Sequence, residues 1–303
     1  MIRKVIKQAN QAYTITLPVE WVRQNNIDKN KEVDVQTQDK SLIVSNVGGV
    51  SLKKAVLPFG HSEKSDYDER TELARKIHAM YAKGIDEIEI HSAENISSKL
   101  VDVMTELIGY ALVSQDKEVY IIKDIGGGSY SDLDEIFKRV FQMVIIFYES
   151  AIEDMFGKEE ETKESLDNRD REINKFCLFL ERAINKMSYS DPVNGRGMFT
   201  YSFSLEKIGD EIHRLWRANI LGRLNKTDKL KKILLLSKEG LGLSFDFYYS
   251  NNFNVANKIY KLKEQVRKES ESLSKQEFFE FGRHAVKIIE DVADLSHLNL
   301  LMK

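Results

Sequence analysis

Residues 205–220 read LEKIGDEIHRLWRANI and place Glu206, Asp210 and His213 at i, i+4 and i+7. On a helix these three side chains fall within an arc of about 60°. Carboxylates one turn apart repel by a few tenths of a kcal/mol, so a compensating charge is expected beside them. A di- or trivalent cation would supply it, because carboxylate and imidazole are ordinary ligands of iron, manganese and zinc. The bland alternative is a solvated face on which Lys207 or Arg214 answers the acids. Near the C-terminus IIEDVADLSHL repeats the offsets with Glu290, Asp294 and His297.

The repeat organises the second half of the chain. From Tyr130 onward the apolar residues recur with helical periodicity over 131–156, 159–188, 199–224, 229–250, 253–272 and 275–302. Breaks are expected at Gly157, SDPVNGRG (190–197), NKTD (225–228), SNN (250–252) and near Ser274. Six helices in two groups of three, each third helix carrying a Glu-Asp-His face, point to an internal duplication and two packed three-helix bundles.

Upstream the periodicity changes. RKVIKQ (3–8) and AYTITLP (12–18) alternate with period two, Pro18 opens a short helix VEWVRQNNI, and EVDVQTQDKSLIVSN (32–46) has the pattern of a hairpin. So short a unit buries little apolar surface alone and calls for a partner. Residues 47–128 alternate strand and helix: strand 49–56, helix 68–84 closed by Gly84, strand 86–91, helix 95–109, and strands 110–114 and 118–125 around a turn at Gln115–Lys117. The GGGS run at 126–129 lacks the Lys-Ser/Thr of a P-loop and reads as a linker, with Asp132 favouring the first turn of the next helix.

Composition bounds the function. The 303 residues carry a formal net charge of −3, with 31% charged and 42% hydrophobic residues and only 3 Pro. That balance suits a helix-rich soluble chain and demands neither nucleic acid nor anionic membrane globally. The single Cys177 excludes an intramolecular disulfide framework and suits a reducing cytosol; its setting, NKFCLFLERAI, is a buried helix face. The N-terminus lacks a signal-peptide core and VFQMVIIFYESAI (140–152) is too short for a bilayer, so a cytoplasmic location is expected. No nucleophile or oxyanion device accompanies the carboxylates, and an enzyme is not expected. The acidic run KEEETKESLDNRDRE (158–172) reads as a solvated helix start.

Basic charge is nonetheless concentrated locally. Arg3, Lys4, Lys7 and Arg23 face only Glu20 across the first 23 residues. Alternation puts Arg3 and Lys7 on one strand face, with Gln11 and Tyr13 beyond the turn. Doubled in a dimer, those charges form a band able to contact phosphates, with Arg and Gln able to reach base edges.

Three stretches together carry a family resemblance. Residues 2–46 resemble the SpoVT/AbrB-like swapped-hairpin domain, RTELARKIHAMYAKGIDEIEIHS (70–92) looks like the middle region of archaeal PhoU-like proteins, and LEKIGDEIHRLWRANI is similar to the PhoU signature helix, preceded by the matching RDREINKFCLFLERAI (169–184). The resemblance implies a mostly α chain with an N-terminal β and α/β part: an AbrB-like dimerisation and DNA-binding domain (1–46), a small α/β domain (47–128) and two PhoU-type three-helix bundles (129–226 and 227–303). It implies phosphate-responsive regulation, through phosphate-regulated promoters or through the phosphate transporter ATPase or a signalling partner, by a homodimer or higher homo-oligomer. It also implies iron or zinc held by Glu206, Asp210 and Asp170, with Glu290 and Asp294 as the counterpart pair; His213 and His297 join them only by helical spacing. Two departures stand out. Asn174 replaces the second expected Asp of the first bundle, and Lys263 and Arg267 stand opposite Glu290 and Asp294, where they would form salt bridges. The DNA-contacting residues carried over are Arg3, Lys4, Lys7 and Arg23, although the loop QANQAY lacks the Gly-Arg of many relatives.

Overall fold

A computed structural model describes residues 2–8, 12–30, 32–38, 41–46, 52–60, 68–126, 133–157, 162–187, 192–221, 226–250 and 252–302. Gln11, the glycines after Gly126, Asp132 and the acidic start at 158–161 lie outside these residues. The chain divides into two compact units, Met1–Leu52 and Lys53–Lys303.

In the first unit β1 (Ile6–Lys7) pairs antiparallel with β2 (Tyr13–Thr14), and β3 (Val33–Gln38) with β4 (Ser41–Asn46). Between them Pro18, fixed in extended backbone, opens α1 (Val19–Gln24); Asn26 takes a left-handed φ of 51° and leads into α2 (Ile27–Asn30). Among the described residues of this unit Ile27 is the one fully buried apolar side chain, while Val5, Ile6, Tyr13, Ile15, Val35 and Leu42 are exposed. Among the described residues of this unit, one buried isoleucine is far less than a domain needs to offset chain entropy.

The second unit begins with a four-stranded sheet, β5 (Lys54–Pro58), β6 (Glu87–His91), β7 (Tyr110–Asp116) and β8 (Val119–Asp124), in the order β5-β6-β8-β7. Only β5 and β6 run parallel, as the crossover through α3 (Glu69–Ala82) requires. Asp68 caps α3 by accepting from Thr71 N–H at 3.2 Å, and Gly84, at φ 84°, ends the turn beyond it. The next helix, α4 (Ser97–Met104), is shorter than its periodicity suggests. The chain leaves it to bring the Ile108 carbonyl to Tyr81 Oη at 2.8 Å and the Gly109 carbonyl to Ile125 N–H at 2.8 Å, with Gly109 left-handed at φ 84°. Ile88, Ile90, Tyr120 and Ile122 pack against Leu73, Ile77, Leu100 and Val103.

The remaining helices are α5 (Leu133–Phe156), α6 (Lys163–Lys186), α7 (Pro192–Leu221), α8 (Asp228–Ser250), α9 (Phe253–Ser270), α10 (Lys275–Glu277), a π-turn at Phe278–Gly282, and α11 (Arg283–Leu301). Helices α5–α7 and α8, α9 and α11 form the two expected triplets. Contacts of α5 with α8 and of α7 with α11 join both in one continuous apolar core. Mostly helical architecture with an N-terminal strand region is therefore the fold. No helix among the described residues is long and apolar enough to cross a membrane.

Two boundaries differ from expectation. Helix α7 starts at Pro192, inside the break expected at 190–197. Proline suits a first helical turn, whose N–H groups have no partner. Gly195 and Gly197 then lie inside α7, and a Cβ on Gly197 would sit 2.4 Å from Met302 Cγ. The helix expected over 275–302 is interrupted by the π-turn, where a Cβ on Gly282 would meet Leu273 Cδ1 at 2.7 Å. A third glycine yields a prediction. On α8 a Cβ at Gly240 would lie 2.2 Å from Ile289 Cδ1, itself wholly buried on α11. Gly240→Ala is expected to destabilise by about 1–2 kcal/mol, overpacking outweighing the gain in helix propensity. A higher unfolding midpoint in urea would contradict this packing.

Candidate functional site

Helices α6 and α7 run side by side, and their facing stripes bring together Asp167, Asp170 and Asn174 with Glu206, Asp210 and His213. His213 Nε2 lies 2.7 Å from Asp167 Oδ1. Asn174 Nδ2 donates to Asp170 Oδ2 at 3.3 Å, while Asp170 Oδ1 and Asn174 Oδ1 are buried without a hydrogen-bond partner among the described residues. Burial pushes the Asp170 carboxyl up to about 6; Asp210, Glu206 and Asp167 push it the same way, against the pull of His213. Burial likewise raises Glu206, with Lys207 bonding against it.

The compensating charge comes from the chain itself. Lys207 Nζ sits 2.9 Å from Glu206 Oε2 and 3.3 Å from Asp210 Oδ2, and Arg214 reaches Asp210 at 2.9 Å and Glu211 at 2.8 Å. The unpartnered oxygens of Asp170 and Asn174 are the features that a bound cation would satisfy. Yet among the described residues no group of three His, Cys, Asp or Glu side chains is drawn together as a metal site. Glu206 and Asp210 are thus each paired with a cation of the chain, whereas among the described residues Asp170 is held only by Asn174.

The second Glu-Asp-His face is looser. Arg267 Nε stands 3.8 Å from Glu290, as opposite charge on the facing helix predicted, whereas Lys263 Nζ lies over the Tyr260 ring, 5.3 Å from its centroid. His297 Nε2 is 2.7 Å from Tyr260 Oη. Burial raises the Tyr260 phenol, with Asp294 adding to it. The two faces therefore share a sequence pattern and not an arrangement of contacts.

Arg3, Lys4, Lys7 and Arg23 are all exposed. Lys7 stands opposite Tyr13 across the β1–β2 pair, and Arg23 is in the last turn of α1. None of the four takes part in an ion pair among the described residues, so their charge is available to a ligand.

The comparisons with known proteins bear on both halves. A family model described as "Antidote-toxin recognition MazE, bacterial antitoxin" matches residues 6–50. The N-terminal part is MazE/AbrB-like. No curated protein matches. The helical part is similar to the crystal structure of the phosphate transport system regulatory protein PhoU from Streptococcus pneumoniae, at 17% identity and a TM-score of 0.49, over 56% of this chain and 93% of that one.

Two groups were not singled out by spacing. Glu181 continues the Asp170–Asn174 stripe of α6 by helical period, and that signal was there to be read. Arg182 had none. Its guanidinium, 1% exposed, donates to the carbonyls of Tyr81 at 3.0 Å and Ile85 at 2.6 Å and to Asp86 at 3.0 Å and Asp124 at 2.8 Å. It also lies 4.9 Å from the ring centroids of Tyr81 and Tyr110. Lys186 pairs with Asp86 beside it. Burial would raise the Asp86 carboxyl, but bonds from Lys186 and the Lys53 N–H, with the charge of Arg182, hold it below the usual carboxylate range.

Proposed function

We propose that this chain is a cytoplasmic regulator of phosphate uptake and phosphate homeostasis that binds DNA as a homodimer through residues 1–46. The observation that carries the reading is the nature of the first unit: a MazE/AbrB-like stretch in which, among the described residues, Arg3, Lys4, Lys7 and Arg23 have no ion pair and one apolar residue is buried. A second copy would bury the exposed Val5, Ile6, Ile15, Val35 and Leu42 and bring two sets of Arg3, Lys4, Lys7 and Arg23 together. Such a doubled band is what phosphate contacts require, and counterion release would make binding steeply salt-dependent. The phosphate part of the reading is supported by the three ordered sequence stretches that resemble PhoU-like proteins. At the α6–α7 seam Lys207 and Arg214 answer the charge of Glu206 and Asp210.

The test is a fluorescence-anisotropy titration of the full chain against the upstream region of a phosphate-transport operon and against unrelated DNA of equal length. Specific binding at least a thousandfold tighter for the operon fragment is expected. Equal affinity for the two fragments would leave only charge-driven association and contradict a promoter-specific role.

A further inference from the structure

The α/β layer and the first bundle enclose a cleft of about 330 Å³. Its apolar wall is Leu178, Cys177 and Phe203; its polar wall is Glu181, Asn174 and the Glu206–Lys207 pair. Most charges at its rim are already engaged. His78 Nε2 and Arg70 hold Glu106 at 3.0 and 2.7 Å, Arg171 donates to Asn168 at 2.7 Å, and Lys175 lies 3.5 Å from Glu172. Two acceptors are left over. Among the described residues Glu181 has neither a hydrogen bond nor an ion pair, and Asn174 Oδ1 is buried without a partner. A pocket with a half-buried carboxylate free of ion pairs and a buried unpartnered amide oxygen is completed by a ligand that donates hydrogen bonds and carries positive charge.

Lys207 shows how these walls hold such a group. Its ammonium rests 2.9 Å from a Glu206 oxygen and 5.1 Å from the centroid of the half-exposed Phe203 ring, a carboxylate and an aromatic face together. Glu181 is a further carboxylate of the same cleft and has no ion pair among the described residues. We propose that the cleft binds a small organic ammonium with a short apolar body, its nitrogen on Glu181 and its carbon chain against Leu178 and Phe203. A metal ion is the poorer occupant, because no three metal-ligating side chains converge among the described residues.

A proton competes for this site. Burial pushes the Glu181 carboxyl up to about 7, with Glu206 adding to it and Lys207 opposing. Binding should therefore release a proton, and affinity should fall about tenfold from pH 8 to pH 6 as Glu181 is neutralised.

Calorimetric titration of the full-length protein with n-butylammonium chloride tests the proposal. Saturable binding at pH 8 is expected, weaker by about tenfold at pH 6, by tenfold or more in Glu181→Gln, and by a similar factor when uncharged n-butanol replaces the amine. The wild-type pH profile stands independently of how well the variant folds. Absence of saturable binding by the wild type at pH 8, binding unchanged in Glu181→Gln, or equal binding of n-butanol would each overturn it.

Discussion

Arg182→Met is expected to cost about 3–5 kcal/mol of stability, read as a lower urea midpoint at pH 7. The side chain lies near the C-terminal end of α6 yet belongs energetically to the α/β layer, whose Tyr81 and Ile85 carbonyls and Asp86 and Asp124 carboxylates it serves at once. Methionine fills a similar volume but leaves two carbonyls and a nearly dry carboxylate short of donors, and that desolvation is no longer offset. Lys186 still pairs with Asp86, which places the effect at a few kcal/mol rather than at complete unfolding. Arg182→Lys should rescue only part, since one ammonium cannot span four acceptors or stack between the Tyr81 and Tyr110 rings. Because α6 also donates from Asn185 to the Ala82 carbonyl at 2.7 Å, the layer should stay attached while unfolding becomes less cooperative. A loss below 1 kcal/mol would contradict a stabilising role for the Arg182 network.

The second large effect is a gain. Asp170, pushed up to about 6, and Glu181, pushed up to about 7, both hold a proton more tightly folded than unfolded. A raised carboxyl pKa contributes stability that is fully present below the unfolded value near 4 and is lost as pH rises through the folded value. The chain should therefore lose stability from this seam between about pH 4 and pH 7. The double variant Asp170→Asn with Glu181→Gln should unfold at higher urea than wild type at pH 8, by roughly 1–2 kcal/mol once solvent screening of these partly exposed groups is allowed for. Below about pH 3, where both acids are protonated in either state, the difference should vanish. A pH-independent difference, or a destabilised variant at pH 8, would mean that the α6–α7 acids are paired more tightly than their contacts indicate.

Much of the architecture was legible because period and punctuation agree. Helix α8 (228–250) and α9 (253–270) follow the apolar spacing, and Gly84 marks the end of α3 where its positive φ is needed. The start of α7 was misread because glycine was weighed as a breaker when Pro192 had already set the first turn and Met302 fills the space that a Cβ at 197 would need. At the seam, spacing located the acids and left two answers open, a metal or the neighbouring Lys207 and Arg214; spacing does not encode the rotamers that place these cations on the carboxylates. The Arg182 joint was invisible for a different reason. Its partners lie on α3, on β8 and in the turns beside them, about 60 to 100 positions earlier in the chain, and no local pattern encodes a contact of that range.

Whether residues 1–46 grip DNA with their basic strands is decided most directly by the salt dependence of binding in Arg3→Ala with Lys7→Ala. In a dimer this pair removes four cations. The slope of log affinity against log salt should fall in magnitude by up to about 3.6, with the unfolding midpoint unchanged. Full-length protein titrated into a labelled operon fragment at several salt concentrations measures it. A shallower slope and weaker binding in the variant are the predicted result; an identical slope in wild type and variant would contradict the assignment of this face to DNA.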